Sequence, residues 1–388
     1  MREYRCISAD SHWQVPPQRW AHRVPEKYRH RLPKLIKIPN GGDGLQAEDG
    51  RIAWGGTGHF AGHKLEEYDP RIVIFDDEAG AGPPSQRVRE QDLDGVDAEL
   101  IFGGASYPPR FKDTETTVAV KRAYNEYLAE EYCAYAPDRL LGVGVLPHRG
   151  VELDIEEMKR CAKLGLRTVL LDNYPTGLGY PTPEDDRFWA AALDLDMPIT
   201  IHTAIAGMST GRRVGRDVLT FPTKGEGYDK PPIDVFDRLA VWGSRHCGTT
   251  ELTEMIMTGL FDRFPTLKIY WAENQIAWIP GFIEQLDTAW EKNRFWIPRM
   301  YDVPPLKRKP SEYVKEHAYW GFFDDPFGVQ VVRHYIGVDH ILWGSDFPDE
   351  VTNWPNDQAV LDKQFAGVPE DEKRKMLCGN AVKFFHLE

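Results

Sequence analysis

Short apolar segments separated by loops and amphipathic helices recur along the whole chain, and this alternation constrains the fold more than any other feature. Eight such segments can be counted, at 4–9, 98–102, 140–146, 166–171, 197–201, 267–272, 318–322 and 341–344. None alternates cleanly between apolar and polar residues, as is typical of strands in a parallel sheet that is covered on both faces. Eight strands alternating with helices predict an α/β fold, a (β/α)8 TIM barrel, with a doubly wound open sheet as the alternative.

The helices between these segments are predicted from apolar residues at three-to-four spacing. They are expected at 116–135, 151–164, 183–195, 249–264, 278–292, 311–316 and 369–385. No linker divides the chain, so residues 1–388 are predicted to form a single barrel domain. Two long insertions interrupt the pattern, at about 40–82 after the first strand and at about 207–244 after the fifth. Loops of this length typically serve as lids, binding loops or contact arms.

Charge and composition exclude several classes of function. Asp and Glu outnumber Lys and Arg by 60 to 47, and the net charge of −13 argues against nucleic acid or an anionic membrane as the main partner. No apolar run reaches the roughly 18 residues that a spanning helix needs, and the N-terminus lacks the apolar region of a signal peptide. The five cysteines lack CxxC spacing and are expected to be reduced thiols. These features predict a cytoplasmic protein whose partner is a small-molecule substrate.

Ionisable residues fall at the ends of four of the predicted strands. They are Asp10 and His12 after the first strand, His202 after the fifth, Glu273 at the end of the sixth and Asp346 at the end of the eighth. The C-terminal ends of barrel strands meet at one rim, so these side chains are expected to converge there. Two imidazoles and three carboxylates can bind a divalent ion and leave a position for water. Such an ion lowers the pKa of bound water toward ~7 and polarises a substrate oxygen.

Each of these residues also has a structural interpretation, as a hydrogen-bonded rim residue or as a cap of a turn. If they do bind metal, the carboxylate-rich set shifts the preference from zinc toward manganese or iron. His246, which precedes a predicted helix, is a candidate ligand for a second ion, although a structural role at the start of that helix is the favoured interpretation.

Other residues suggest binding roles less directly. His59 and His63 lie in the first insertion and are expected to be loop residues, because the glycines around them disfavour a helix. Several aromatic residues near the predicted strand ends are expected to be mostly core, but a rim rich in aromatic side chains would suit a flat cyclic substrate. These residues are Trp13, Tyr107, Trp271, Trp278 and Trp343.

Four segments of the sequence resemble motifs of a known family. They are ADSHWQVPP near the N-terminus, ITIHT at the fifth strand, FPTLKIYWAENQIAWIP around the sixth and WGSDFP at the eighth. Together they resemble the amidohydrolase superfamily, in particular the amidohydrolase-related group that includes aminocarboxymuconate-semialdehyde decarboxylase and resorcylate-type decarboxylases. The resemblance implies a metal-bearing (β/α)8 barrel in which Asp10, His12, His202 and Asp346 are the ligands.

The chain departs from the pattern of that group at three points. Many relatives have His-x-His where this chain has Asp10-x-His12. Many also have a histidine, within an AHGGG-type segment, where this chain has Glu273 within AENQI. The histidine of those relatives has a catalytic role, and the resemblance does not assign that role to Glu273. No lysine at the end of the fourth strand (LLDNYP) is available as a carboxylated bridge, which disfavours a two-metal hydrolase of that kind.

The residues and the resemblance together predict a mononuclear metal enzyme that hydrolyses or decarboxylates a cyclic or aromatic carboxylic acid. Asp346 is expected to be both ligand and proton acceptor, and Glu273 a third carboxylate ligand or a general acid. Two alternatives remain, a di-iron or iron monooxygenase on the same barrel and a non-catalytic binding protein. A homodimer is expected, with exposed aromatic residues of the insertions such as Trp54 and Phe60 available for contact.

Overall fold

Eleven strands are present in the computed structural model, which describes residues 2–39, 41–48, 50, 52–54, 58–64, 66–69, 72–103, 111–202, 248–301 and 304–388. In chain order they are β1 (Ile7–Trp13), β2 (Lys34–Lys37), β3 (Asp43–Gln46), β4 (Ile52–Trp54), β5 (Ala98–Gly103), β6 (Leu140–Val145), β7 (Thr168–Leu170), β8 (Ile199–His202), β9 (Ile269–Ala272), β10 (Ala318–Phe322) and β11 (Ile341–Trp343).

Eight of these strands form one parallel sheet that is nearly closed into a barrel. Their order is β1-β5-β6-β7-β8-β9-β10-β11. The two outermost strands, β1 and β11, approach each other at their C-terminal ends. Ser11 of β1 pairs with Phe347, which follows β11, and the amide of Asp346 donates to the carbonyl oxygen of Asp10 over 2.9 Å. This arrangement confirms the predicted TIM barrel, and the open-sheet alternative is wrong because its two edge strands would lie far apart. Each of the eight strands overlaps one of the predicted apolar segments.

The first strand differs from its prediction in a way that matters for the site. It begins at Ile7 and continues to Trp13, so Asp10 and His12 lie within the strand and not after it. Its register with β5 shifts between Ser8 and Ser11, and the Ser8 hydroxyl donates to the carbonyl oxygen of Asp10 over 2.7 Å. The apolar pattern ends before the strand does, because polar side chains are accepted where the strand reaches the barrel mouth.

Helices cover the outside of the barrel. They are α1 (Glu26–Arg29), α2 (Pro84–Asp94), α3 (Thr114–Tyr127), α4 (Val151–Leu164), α5 (Asp186–Asp194), α6 (Gly248–Met257), α7 (Leu260–Arg263), α8 (Ile279–Asn293), α9 (Ile297–Tyr301), α10 (Pro310–His317), α11 (Arg333–Ile336), α12 (Asp357–Gln364), α13 (Glu370–Arg374) and α14 (Asn380–Phe384). Helix α2 was not predicted, because the residues it buries are polar, including Arg87 and Gln91, and leave no apolar periodicity. No helix of the described ranges is long and apolar enough to cross a membrane.

The apolar core has two layers. Residues such as Ala9, Leu100 and Tyr270 fill the inside of the barrel, where Phe384 and Phe385 also pack. The larger layer lies between the sheet and the helices and includes three of the tryptophans near strand ends, namely Trp13, Trp271 and Trp343. These tryptophans are therefore core residues and do not line the barrel mouth; Tyr107 lies outside the described residues.

The first insertion contributes β3 and β4 to a small antiparallel sheet with β2, which precedes it, and then packs against loops at the barrel mouth. The amide of Phe60 donates to the carbonyl oxygen of Pro348 over 2.8 Å, and His59 Nε2 lies 3.0 Å from the carbonyl oxygen of Gln14. His59 and His63 are loop residues, as predicted. The second insertion, at 207–244, lies outside the described residues.

Candidate metal centre

Four side chains converge at the C-terminal end of the barrel. Asp10, His12, His202 and Asp346 each place a ligand atom within 4.8 Å of the others. His12 Nε2 lies 3.0 Å from Asp346 Oδ1 and 3.2 Å from His202 Nε2. His202 Nε2 lies 3.4 Å from Asp10 Oδ1. Donor atoms that share one ion at bond lengths of about 2.0–2.2 Å are separated by about 3.0–3.5 Å when adjacent, so this spacing suits a single ion.

The carboxylate of Asp10 provides an independent test of whether a cation fits here. Asp10 is 3% exposed, and in the described part of the chain neither of its side-chain oxygens accepts a hydrogen bond. A buried carboxylate that accepts no hydrogen bond has lost its hydration without replacing it, and the effective desolvation penalty of an ion is on the order of several kcal/mol. A divalent cation between Asp10 and the two imidazoles would remove that cost, and the mixed nitrogen and oxygen donors suit manganese, iron or zinc.

Electrostatics within the cluster favour a proton on His12 when no metal is bound. Burial alone would lower the pKa of His12, but its hydrogen bond to Asp346 and the charges of Asp346, Asp349 and Asp10 outweigh burial and raise the pKa to about 9. Burial raises the pKa of Asp346, although the His12 imidazolium opposes that change. A metal ion must therefore displace a proton from His12 at neutral pH.

This competition predicts a pH-dependent metal affinity. A ligating imidazole must be neutral, so below pH 9 the affinity for Mn²⁺ should rise about tenfold per pH unit and then level off as His12 loses its proton. Calorimetric titration of metal-free protein with Mn²⁺ between pH 6.5 and 9.5 measures this slope. An affinity that does not change over this range would remove His12 from the ligand set.

Glu273 lies beside the four convergent residues and directly follows β9. It is 6% exposed, and its Oε2 is 3.6 Å from His202 Nε2. Its backbone has a φ of 56°, in the left-handed region. A non-glycine residue there costs roughly 1–2 kcal/mol, and such strain is concentrated at functional sites. The strained backbone places this carboxylate at the barrel mouth, next to the cluster.

Asp349 is a site residue that the sequence reasoning missed. Its Oδ2 lies 4.0 Å from His12 Nε2, and its amide donates to the carbonyl oxygen of Asp346 over 2.7 Å. Burial raises the pKa of Asp349. The first insertion reaches this residue at Gly58, where a Cβ would lie 2.9 Å from Asp349 Oδ1. The i, i+3 spacing of Asp346 and Asp349 within one turn was the signal that could have revealed it.

An aromatic side chain also adjoins the cluster. The ring of Phe102, at the end of β5, is centred 5.2 Å from the His202 ring and 6.2 Å from the His12 ring. Phe102 is buried, so it gives the centre an apolar wall. Of the aromatic residues singled out in the sequence, Trp13, Trp271 and Trp343 belong to the core and Trp278 is partly buried against it. His246, the candidate ligand for a second ion, lies outside the described residues.

Comparisons with known proteins agree with this picture of the barrel. The chain is 24% identical over 233 residues to decarboxylase orsB of Emericella nidulans, across 59% of this chain and 65% of that protein. It thus spans just under two thirds of the length of that relative. It is also 21% identical over 390 aligned positions to the 2-amino-3-carboxymuconate-6-semialdehyde decarboxylase of Dictyostelium discoideum, across 99% of this chain and 93% of that protein.

A solved structure shares the same fold over almost the whole chain. The dihydroxybenzoic acid decarboxylase of Polaromonas sp. JS666 superposes with a TM-score of 0.62 at 20% identity, and the match covers 99% of this chain and 98% of that chain. That structure contains manganese and the inhibitor 2-nitroresorcinol. The sequence also matches the family described as amidohydrolase from residue 12 to residue 387. With a parallel barrel, a cluster of metal-ligating side chains at its mouth and a family match over almost its full length, the chain belongs to the amidohydrolase family.

Proposed function

We propose that this protein is a metal-dependent decarboxylase of a cyclic or aromatic carboxylic acid, with one divalent ion held by Asp10, His12, His202 and Asp346. The observation that carries the proposal is the buried four-donor cluster at the barrel mouth, in which the Asp10 carboxylate has no hydrogen-bond partner among the described residues. Similarity to a decarboxylase over 99% of the chain supports the reaction class. Among the ions that two carboxylates and two imidazoles suit, the manganese in a structural neighbour favours manganese.

The residues around the ion have distinct roles in this proposal. A divalent ion supplies Lewis-acid chemistry by withdrawing electron density from a substrate oxygen. Asp346 Oδ1, which His12 contacts at 3.0 Å, accepts a proton from a substrate hydroxyl. Glu273 delivers a proton from its carboxyl group to the carbon that loses CO2, so that hydrogen replaces the carboxylate. Phe102 keeps water away from that carbon.

Elemental analysis and product detection test this function together. Protein purified without chelator should contain about one transition-metal ion per chain and should release CO2 from at least one member of a panel of hydroxybenzoic acids, without consuming oxygen. Two irons per chain with oxygen uptake would favour the di-iron monooxygenase. Hydrolysis products without CO2 would favour a hydrolase, and a metal-free protein with no turnover would favour a binding protein.

We also propose a homodimer. Three large apolar side chains, Phe327, Val331 and Tyr335, lie four residues apart along the helical segment that passes through the π-helix Gly328–Val332 into α11, and they are 54% to 66% exposed. Phe60, one of the aromatic residues expected to mediate contact, packs instead against Tyr68 within the insertion. Sedimentation velocity at micromolar concentration should give twice the 44.4 kDa chain mass. A particle of 44.4 kDa would exclude the dimer.

A cytoplasmic, single-domain protein is the remaining part of the proposal. The cytoplasmic location is supported by the cysteines, because Cys6, Cys133, Cys161 and Cys378 are buried free thiols. Burial raises the pKa of Cys6 and Cys133, which keeps these thiols protonated and unreactive. Localisation of a tagged full-length chain by microscopy or fractionation would test the compartment.

A further inference from the structure

A second buried group of charges lies at the barrel mouth, outside the candidate metal centre. His148 follows β6, and its two ring nitrogens face two carboxylates: Nε2 lies 2.5 Å from Asp172 Oδ1 and Nδ1 lies 3.0 Å from Asp154 Oδ2. Lys121 Nζ lies 3.9 Å from Asp172 Oδ2 and donates to the carbonyl oxygen of Leu146 over 2.6 Å. Asp172 is therefore held between two cationic side chains that belong to α3 and to the loop after β6.

The geometry indicates the protonation state of this group. A neutral imidazole has a single N–H, whereas His148 presents a nitrogen to a carboxylate on each side, so the imidazolium fits both contacts. Burial alone would lower the pKa of His148, but the charges of Asp172 and Asp154 outweigh it and raise the pKa to about 9. The amide of His148 also donates to Asp154 Oδ1 over 2.7 Å, which fixes the residue further.

Strand register places Asp172 beside the metal centre. Parallel pairing joins Leu170 to Thr200, and the amide of Leu171 donates to the carbonyl oxygen of Thr200 over 2.8 Å, so Asp172 leaves β7 next to the end of β8, where His202 lies. Neighbouring strands lie about 4.8 Å apart. The side chain of Leu170 belongs to the cluster inside the barrel, and Asp172 lies in the bend that follows β7 at the mouth. Its side chain is 16% exposed, in contrast to 0% for Asp154, so it can be reached from the mouth.

We propose that Asp172 is a substrate-binding residue that accepts a hydrogen bond from a ring hydroxyl or amino group, and that His148 and Lys121 are positioning residues that hold its carboxylate. This inference rests on the proposed function, because it concerns the substrate of that same site. Two flanking cations keep Asp172 ionised, and an ionised carboxylate is an acceptor only, with room for about four hydrogen bonds. Asp172 therefore selects aromatic acids that carry a donor group on the ring and disfavours those with a second carboxylate there.

A binding experiment with two probes that differ by one hydroxyl group tests this assignment. Calorimetry on the manganese-loaded protein compares 2-nitroresorcinol with 2-nitrophenol, neither of which can lose CO2. The wild-type protein should prefer 2-nitroresorcinol by about tenfold or more, the effect of one hydrogen bond to a charged group. In Asp172→Asn the amide oxygen turns toward His148 and leaves an NH2 group toward the ligand, so the preference should fall to within about twofold, with the affinity for 2-nitrophenol unchanged.

The positioning residues have a matched pair of variants. His148→Gln keeps an N–H donor toward Asp172 and should retain most of the preference for 2-nitroresorcinol, whereas His148→Leu should lose that preference. If His148→Leu does not fold, Lys121→Met provides the test and should lower the preference. If these residues had only a structural role, the variants would lose affinity for both ligands equally, and this result would overturn the proposal. A wild-type protein that binds the two ligands equally well would also overturn it. Elemental analysis of every variant should show unchanged metal content. Preference without CO2 release from any acid would reject the proposed decarboxylation and leave this binding role standing.

Discussion

Asp346→Asn is expected to lower kcat/KM by about 10²-fold or more, which is the contribution of a positioned proton-transfer group. Asparagine keeps the volume and one oxygen but loses the charge and the basicity, so metal affinity should fall as well. The backbone at Asp346 has a φ of 53°, a conformation that asparagine adopts as readily as aspartate. The backbone therefore adds no strain in the variant, and a change in the free energy of unfolding of the metal-free protein reports on the lost contact between Asp346 and the His12 imidazolium.

A second aspartate provides the matched control for this variant. Asp196 has a φ of 49° and a side chain that is 83% exposed, and it lies outside the candidate centre. Asp196→Asn makes the same chemical change in the same backbone conformation and should leave kcat/KM and metal content unaltered. If Asp346→Asn retained activity within about twofold, Asp346 would have no part in the mechanism and would only cap its turn.

Removal of the metal is expected to abolish turnover, with a loss on the order of 10³-fold, since a Lewis acid contributes several kcal/mol to the transition state. Dialysis against a chelator followed by elemental analysis establishes the metal-free state. Addition of Mn²⁺ should then restore activity, and Mg²⁺ should restore less, because magnesium prefers sites made entirely of oxygen donors.

The metal-free protein should remain folded, which separates loss of chemistry from loss of structure. The apolar cluster inside the barrel and the larger one outside it do not involve the four ligand side chains. Saturating Mn²⁺ should nevertheless raise the stability by about 2.7 kcal/mol when its concentration is 100 times the Kd. Full activity in protein shown to lack metal would contradict the proposed centre.

The barrel could be predicted from the sequence because its strands are covered on both faces. Burial on both sides requires near-continuous apolar runs, and these runs are readable without knowledge of their partners. The search for apolar runs does not detect elements that bury polar residues. Strand β1 runs past its apolar part into Asp10 and His12, and helix α2 packs through Arg87, which contacts Glu99 at 2.6 Å. A polar residue is buried when it finds partners that are distant in sequence, so local sequence patterns do not predict which polar residues are buried.

The candidate site, like the fold, could be predicted in part from the sequence. The residue types at the strand ends can be read from the amino-acid sequence. Since the ends of parallel strands meet at one rim, it also follows that Asp10, His12, His202, Glu273 and Asp346 belong to one region. The distances between these side chains depend on how the barrel folds. It brings four into one cluster within 4.8 Å, leaves Glu273 beside it, adds Asp349, and places Asp172 between His148 and Lys121. Charge interactions depend on separations of a few ångströms and on burial, and both arise only when the barrel closes.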